Sequence, residues 1–369
     1  MKQKKIQYLL ALTRTHGIGK EMIKNLLPSF DNDAEALCTA SDKELLQIKG
    51  INKASIQRIR SAVSHLKDAS AEMEQLDRAD IEIIPIYASS YPYRLKRCMD
   101  APAYLYKKGD CDLNPLYSVA IVGTRKATNN GKKNCKKIIE EIASIKPLII
   151  SGLAFGIDAS AHKEALAFGL PTTAVMGHGL SLTYPPQHHG LARQILEKGG
   201  ALLSEYPYFK DPEKGYFAER NRIIAGMSDV VVVVEAAIRG GAHITAELAA
   251  GYFRDVMAVP GRPDDEFARG CNKLIKENKA NLIENGKDLI ELMNWQTGIS
   301  EKKIQRSLLY NLTVEQEQIA EILRGNGEIH IDEISFKTDL LPAKLAGILL
   351  DMELLGIIKA LPGKRFTWI

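Results

Sequence analysis

Six short, nearly continuous apolar runs alternating with helical patterns constrain this chain more than any other feature. The runs are Ser118–Val122, Leu148–Ser151, Thr172–Met176, Ala201–Glu205, Val230–Glu235 and Val256–Val259. Runs of this kind mark strands covered on both faces. Helical patterns lie between them, at Asn129–Ser144, Ala159–Phe168, Arg220–Met227 and Thr245–Phe253. The alternation predicts an α/β fold: a doubly wound parallel sheet with right-handed crossovers.

Ligands of open parallel sheets bind beyond the carboxyl ends of the strands. Glycine turns there let a ligand approach the backbone, and the N–H groups of the next helix favour anions. In this chain those ends read Gly123-Thr124-Arg125, Gly152-Leu153-Ala154, Gly177-His178-Gly179, Gly240-Gly241-Ala242 and Gly261-Arg262. Five such turns on one face predict a phosphate site. The first turn, GTRKATNNG, lacks GxGxxG, the second strand ends in Ser151 rather than an acid, and GxxxxGK[ST] is absent. Dinucleotide and P-loop chemistry are therefore disfavoured.

Charge placement narrows the choice. A net charge of +4 is too mild to announce a polyanion by itself. Between 125 and 137, however, Arg125, Lys126, Lys132, Lys133, Lys136 and Lys137 occur with no acid. A second cluster, Phe217-Ala-Glu-Arg220-Asn221-Arg222, joins a ring to two guanidinium groups and an amide at an expected helix start. Cations for phosphates and a ring for bases are what a single-stranded nucleic acid needs. Two other readings stay open: Phe217 as a core residue, and the arginines as ion-pair partners of Asp229 or Glu235.

The motifs resemble the DNA-processing protein A (DprA/Smf) family. The resemblance rests on Ala120-Ile-Val-Gly-Thr-Arg125, Ser151-Gly-Leu-Ala-Phe-Gly-Ile-Asp-Ala-Ser-Ala-His162, Ala174-Val-Met-Gly-His-Gly-Leu180 with Tyr184-Pro-Pro186, Leu203-Ser-Glu-Tyr-Pro207, Phe217-Ala-Glu-Arg-Asn-Arg-Ile-Ile224 and Val259-Pro-Gly261. The motifs occur in order over roughly 85–285. The resemblance implies a Rossmann-like core that binds single-stranded DNA, forms a homodimer and loads the RecA recombinase on incoming strands in natural transformation. It also implies that Gly123, Thr124 and Arg125, with Lys126 beside them, hold phosphates. Phe217, Arg220, Asn221 and Arg222 would add base and backbone contacts. Where the family carries Ser-Gly-Ser-Leu-Ile-Thr, this chain has Gly240-Gly241-Ala242-His243-Ile244-Thr245. Two hydroxyls are missing, which leaves the backbone of Gly240 and Gly241 and the side chain of Thr245.

The flanking regions differ in texture. Residues 1–25 hold six basic residues against one acidic, and 43–60 five against one. His16-Gly17-Ile18-Gly19 and Lys49-Gly50-Ile51 sit between helical runs and resemble helix-hairpin-helix (SAM-like) turns. In such turns backbone N–H groups hold a phosphate, here with Gly17, Gly19, Lys20, Gly50 and Lys53 as secondary contacts. A helical bundle capped by glycines is the alternative. Residues 313–369 resemble a winged helix, with helices at Val314–Arg324, Asp332–Lys337 and Pro342–Leu355 and a wing at Ile357–Trp368. This segment carries nine acidic and six basic residues, a balance that opposes a polyanion and points to a protein contact instead. The expected domains are 1–78, 79–297 and 305–369.

Several function classes drop out. A composition of 45% hydrophobic and 25% charged residues is that of a globular chain, and no apolar run approaches the ~20 residues of a membrane span. The apolar patch of the basic amino terminus stops at Leu12 with no small-residue cleavage site after it, against a signal peptide. Five cysteines, at 38, 98, 111, 135 and 271, form no CxxC pair and fit a reducing cytoplasm. The eight histidines make no HExxH or metal-spaced set, so no metal, cofactor or catalytic residue is expected. His162 reads as structural, and Asp158 and Glu205 as helix-cap and loop-fixing residues. A competing reading is a nucleoside-monophosphate phosphoribohydrolase of the lysine decarboxylase-like type, which carries PGGxGTxxE. Gly240-Gly241 and Thr245-Ala-Glu247 look similar, but the proline is absent and Thr245 lies one residue too far along. A pure scaffold with idle anion sites is a third reading.

Overall fold

The computed structural model describes residues 2–295 and 312–369. The expected junction between 297 and 305 lies outside the described residues. Nine strands form the central sheet: β1 (Glu82–Pro85), β2 (Tyr104–Lys108), β3 (Ser118–Val122), β4 (Leu148–Ser151), β5 (Thr172–Val175), β6 (Ala201–Ser204), β7 (Val230–Val233), β8 (Asp255–Ala258) and β9 (Asn281–Leu282). Their order is β1-β2-β6-β5-β4-β3-β7-β8-β9. From β6 to β9 every pairing is parallel. β1 and β2 are antiparallel additions at one edge of the expected doubly wound parallel sheet.

Alternate side chains of the strands feed two cores, as the period of two requires. Val119, Ile121, Val230 and Val232 pack under the helices Asn129–Ile142 and Ile157–Ala167. Ala120, Val122, Val231 and Val233 pack under Lys214–Met227 and Gly241–Gly251. The chain moves outward from β3 through β4 and β5 to β6, then returns to place β7 on the other side of β3. The reversal opens a crevice beyond the carboxyl ends of β3 and β7, the place where such sheets bind ligands.

The amino-terminal helices, Lys2–Arg14 through Leu66–Arg78, share a core with Tyr104 and Tyr106 of β2. Gly17 and Gly50 take positive φ, 81° and 89°, in the two inter-helix turns, a conformation that favours glycine. Glu72 ties this layer to the sheet. It accepts from Arg14, from the Tyr106 hydroxyl at 3.1 Å and from the backbone of Tyr208 at 2.8 Å.

Among the described residues the carboxyl-terminal module has three helices and a small sheet of β10 (Glu328–His330), β11 (Ile358–Leu361) and β12 (Arg365–Trp368). It docks on the core at the end opposite the crevice. Asp229, which precedes β7, accepts two hydrogen bonds from Arg94, at 2.7 and 2.9 Å, and one from the backbone of Ser118 at 2.8 Å. Arg365 of the wing approaches the same carboxylate at 4.0 Å and lies over the Tyr117 ring at 4.7 Å. Arg254 pairs with Asp332, and Lys364 donates to the carbonyl of Phe253. The wing of this module therefore meets the chain's own core.

Candidate nucleic-acid interface

The crevice is closed from below by the turn that follows β3. Thr124 donates its N–H to the carbonyl of Glu235 at 2.7 Å and accepts from Ile157 N–H at 3.2 Å. Its hydroxyl accepts from Lys126 N–H at 3.2 Å. Gly123 has no room for a side chain, since a Cβ there would lie 2.4 Å from Ile157 Cγ1. Gly123 and Thr124 thus set the floor, and Arg125 and Lys126 project from it, exposed. Neither forms an ion pair among the described residues. The same holds for Lys132, Lys133, Lys136 and Lys137, exposed along the adjoining Asn129–Ile142 helix.

Not every helix start on this face is open to an anion. The Glu235 carboxylate fills the amino end of the Asn129–Ile142 helix, accepting from Thr128 N–H at 2.9 Å and from the Thr128 hydroxyl at 2.5 Å. A Cβ on Gly131 would lie 2.2 Å from its carboxyl carbon. The Ile157–Ala167 helix has Asp158 in its first turn. Burial raises the pKa of Asp158 above the usual carboxylate range, opposed by the Arg220 charge. The Gly241–Gly251 helix differs. Gly240 and Gly241 are exposed, no side chain caps the helix and no acid lies in its first turn. Its leading N–H groups remain available to an anion.

The other expected ligands turn inward. Arg220 is buried beneath Gly152, where a Cβ would lie 1.9 Å from Nη1, and it donates to the carbonyl of Val175. Burial lowers its pKa to about 10, so it stays charged at neutral pH. Arg222 is buried against Glu205 and donates to the carbonyl of Asp100 at 2.6 Å. The reading of these arginines as partners of Asp229 or Glu235 is corrected: Asp229 belongs to Arg94 and Glu235 to Thr128. Asn221 Nδ2 donates to the carbonyl of Gly241 at 3.2 Å, and the buried Thr245 hydroxyl donates to the same carbonyl at 2.9 Å. Arg220, Asn221 and Thr245 thus brace the two glycine turns, and Arg222 ties its helix to Glu205 and Asp100.

Phe217 is half-buried at the rim, with the Arg125 guanidinium carbon 5.5 Å from its ring centroid. Gly17, Gly19, Gly50 and the exposed Lys53 lie on the amino-terminal hairpins, and Lys20 opens the helix after the first turn. The structure does not bring them into the crevice. Sequence reasoning missed Glu235 as the occupant of a helix start. It also passed over two exposed rings at the carboxyl ends of the strands, Phe155 and Tyr184. Their signal was an aromatic beside glycine or proline in a loop after β4 and β5.

Among the described residues the acid and base candidates of the other readings have structural partners. His162 is fully buried and its Nδ1 donates to the Thr172 hydroxyl at 2.7 Å, that hydroxyl itself donating to the carbonyl of Ile149. Glu247, the acid of the hydrolase reading, is half exposed and pairs with Lys279 at 3.4 Å and His243 at 3.5 Å, on the outer side of its helix. Among the described residues no group of three His, Cys, Asp or Glu is placed to hold a metal ion, and no helix is long and apolar enough to cross a membrane.

Comparison with known proteins agrees with this organisation. The DNA recombination-mediator protein A profile matches residues 82–294. A SAM-like helix-hairpin-helix tandem matches 9–64, and a DprA winged helix domain matches 307–364. The chain is 34% identical to protein Smf of Synechocystis over 336 residues, 90% of this chain and 80% of that one. It is 41% identical to DNA processing protein DprA of Streptococcus pneumoniae over 200 residues, 54% of this chain and 70% of that one. The X-ray structure of the Streptococcus pneumoniae protein superposes with a TM-score of 0.66 at 34% identity, covering 77% of this chain and 97% of that one. A structure concerned with the single-stranded DNA binding mode of DNA processing protein A from Helicobacter pylori gives 0.52 at 30% identity, covering 57% and 94%. The ordered motifs, the nine-stranded core with its two flanking modules and the match over residues 82–294 together make this chain a member of the DNA recombination-mediator protein A (DprA/Smf) family.

Proposed function

We propose that the chain binds single-stranded DNA across the crevice, as a homodimer in the reducing cytoplasm, and passes the strand to a RecA-type recombinase. The observation that carries the reading is the pairing of two exposed cations without an ion pair among the described residues, Arg125 and Lys126, with the acid-free glycine start of the Gly241–Gly251 helix. The two stand across the switch point between β3 and β7. Phosphates meet Arg125, Lys126 and the N–H groups beyond Gly240 and Gly241. Gly123 and Thr124 form the floor, and Arg220, Asn221, Arg222 and Thr245 keep both sides in place. The hairpin turns at Gly17–Gly19 and Gly50 offer a second, sequence-independent backbone contact. The role is binding and handover rather than catalysis, in keeping with the recombination-mediator description of the family.

The test is a titration of the full chain with oligothymidine at two salt concentrations. Arg125→Ala combined with Lys126→Ala is expected to weaken binding by about tenfold or more, each charge-assisted contact being worth roughly 1–3 kcal/mol. The salt slope should shrink by about 0.7 per contact removed. Unchanged affinity in the double variant places the strand elsewhere. Handover is tested by recombinase filament growth on a coated strand: acceleration by the full chain is expected, and no acceleration despite intact strand binding removes the mediator role.

A further inference from the structure

Phe217 is the ring expected to meet bases, yet its surroundings are already filled. Gly177 lies against it, since a Cβ there would stand 3.0 Å from Phe217 Cδ1. Arg125 lies over the ring at 5.5 Å, and the Tyr184 ring stands 5.5 Å away, tilted by 35°. Tyr184 itself is 43% exposed, its other ring neighbour being His178, edge-on at 6.4 Å. A second ring, Phe155, is 44% exposed in the loop after β4 and touches His188 edge-on at 4.9 Å. The next residue, Gly156, is pressed against the floor of the crevice, where a Cβ would lie 2.1 Å from the carbonyl oxygen of Thr124. Phe155 thus stands one residue from a packing contact with the backbone of Thr124 and Arg125. Two large rings left partly in water, one in the loop after β4 and one in the loop after β5, are what unpaired bases require, since every base offers a π face for stacking.

We propose that Tyr184 and Phe155 are the base-stacking residues of the crevice, and that Phe217 is a positioning residue which holds Arg125 and Tyr184 in place. This rests on the reading that the crevice takes a single strand, and it adds an internal order to that site. Bases lie toward the β4–β5 side, where both rings stand. Phosphates lie toward the β3–β7 side, where Arg125, Lys126 and Gly240–Gly241 stand. Duplex DNA cannot satisfy both sides at once, because the faces of paired bases are covered by their neighbours.

The test compares, on the full chain, an oligothymidine with an oligomer of the same length in abasic deoxyribose phosphate. Wild type is expected to prefer the oligothymidine. Tyr184→Ala and Phe155→Ala should each weaken oligothymidine binding by about five- to fiftyfold and leave abasic binding within about twofold. Tyr184→Trp should keep the affinity and show fluorescence quenching on binding. Arg125→Ala should weaken both oligomers. Equal wild-type affinity for the two oligomers overturns the proposal, as does wild-type affinity for oligothymidine in the Tyr184→Ala Phe155→Ala double variant. Failure of the wild type to bind either oligomer overturns the underlying reading instead. Phe155 stands in an exposed loop, so its variant keeps the test valid should Tyr184→Ala lower the melting temperature.

Discussion

Arg125 and Arg222 carry the same group within one family of motifs, and their surroundings assign them opposite tasks. Arg222 is enclosed with Glu205, and removing one partner of a buried ion pair costs about 3–5 kcal/mol. Arg222→Ala is therefore expected to lower the thermal midpoint by many degrees and to weaken DNA binding only through the damaged fold. Arg125→Ala should leave the midpoint nearly unchanged while strand affinity falls, and thermal melts paired with titrations distinguish the two. Gly152 gives a third case. Arg220 Nη1 would stand 1.9 Å from a Cβ at that position, so Gly152→Ala forces a buried guanidinium to move. A loss of stability on the order of 1–3 kcal/mol is expected by denaturant titration. At this scale the sequence displayed which residues carry charge near the strand ends. It did not display which charges are already answered, because Glu205, Val175 and Asp100 are remote in sequence and only the fold brings them to the arginines.

Strands covered on both faces are legible as elements, and partly exposed ones are not. The bounds of β3 and β4 coincide with the apolar runs Ser118–Val122 and Leu148–Ser151, because glycine or a short loop follows each at once. β1 and β2 escaped notice. One ends in proline at the sheet edge, and both mix charged residues into half-covered strands. The Lys214–Met227 helix begins six residues before its expected start at Arg220, and the Gly241–Gly251 helix begins on a glycine that intrinsic propensity disfavours. Tertiary packing overrides propensity at both starts. The docked wing supplies a prediction at this scale. Arg365 lies 1% exposed between Asp229 and Tyr117, so Arg365→Ala should destabilise the protein by about 1–3 kcal/mol in calorimetry. Oligothymidine affinity should stay at the wild-type level, since the contact lies at the amino ends of the strands.

Over the whole molecule, buried titratable groups link stability to pH. Burial pushes His162 down to about 3, helped by the nearby Arg220 charge, and burial likewise pushes His330 down to about 3. Their folded values lie below the ordinary ~6.5 of histidine, so the unfolded chain takes up protons first. Stability from these groups is full above ~6.5 and falls as pH drops toward 3. Burial opposes ionisation of Asp229, but Arg94 and Arg365 hold it well below the usual carboxylate range, and its contribution is lost at still lower pH. Thermal midpoints measured from pH 7.5 to 4 should therefore decline below about 6.5. His162→Gln should flatten the upper part of that decline, and an unchanged profile in that variant would assign it to other groups. The three-part architecture was legible from texture and charge, whereas the seating of the carboxyl-terminal module on the core was not, because its contacts, Arg365 with Asp229, Arg254 with Asp332 and Lys364 with Phe253, join residues remote in sequence.

The carboxylate of Glu235 at the start of the Asn129–Ile142 helix has one more consequence. In related sheets a dinucleotide rests its pyrophosphate at this kind of position. Here that berth is taken by a fixed negative charge belonging to the protein. Small metabolites bearing phosphates, abundant in any cell, find no anchorage there. The anion positions left on this face are the cations after β3 and the glycine start of the Gly241–Gly251 helix.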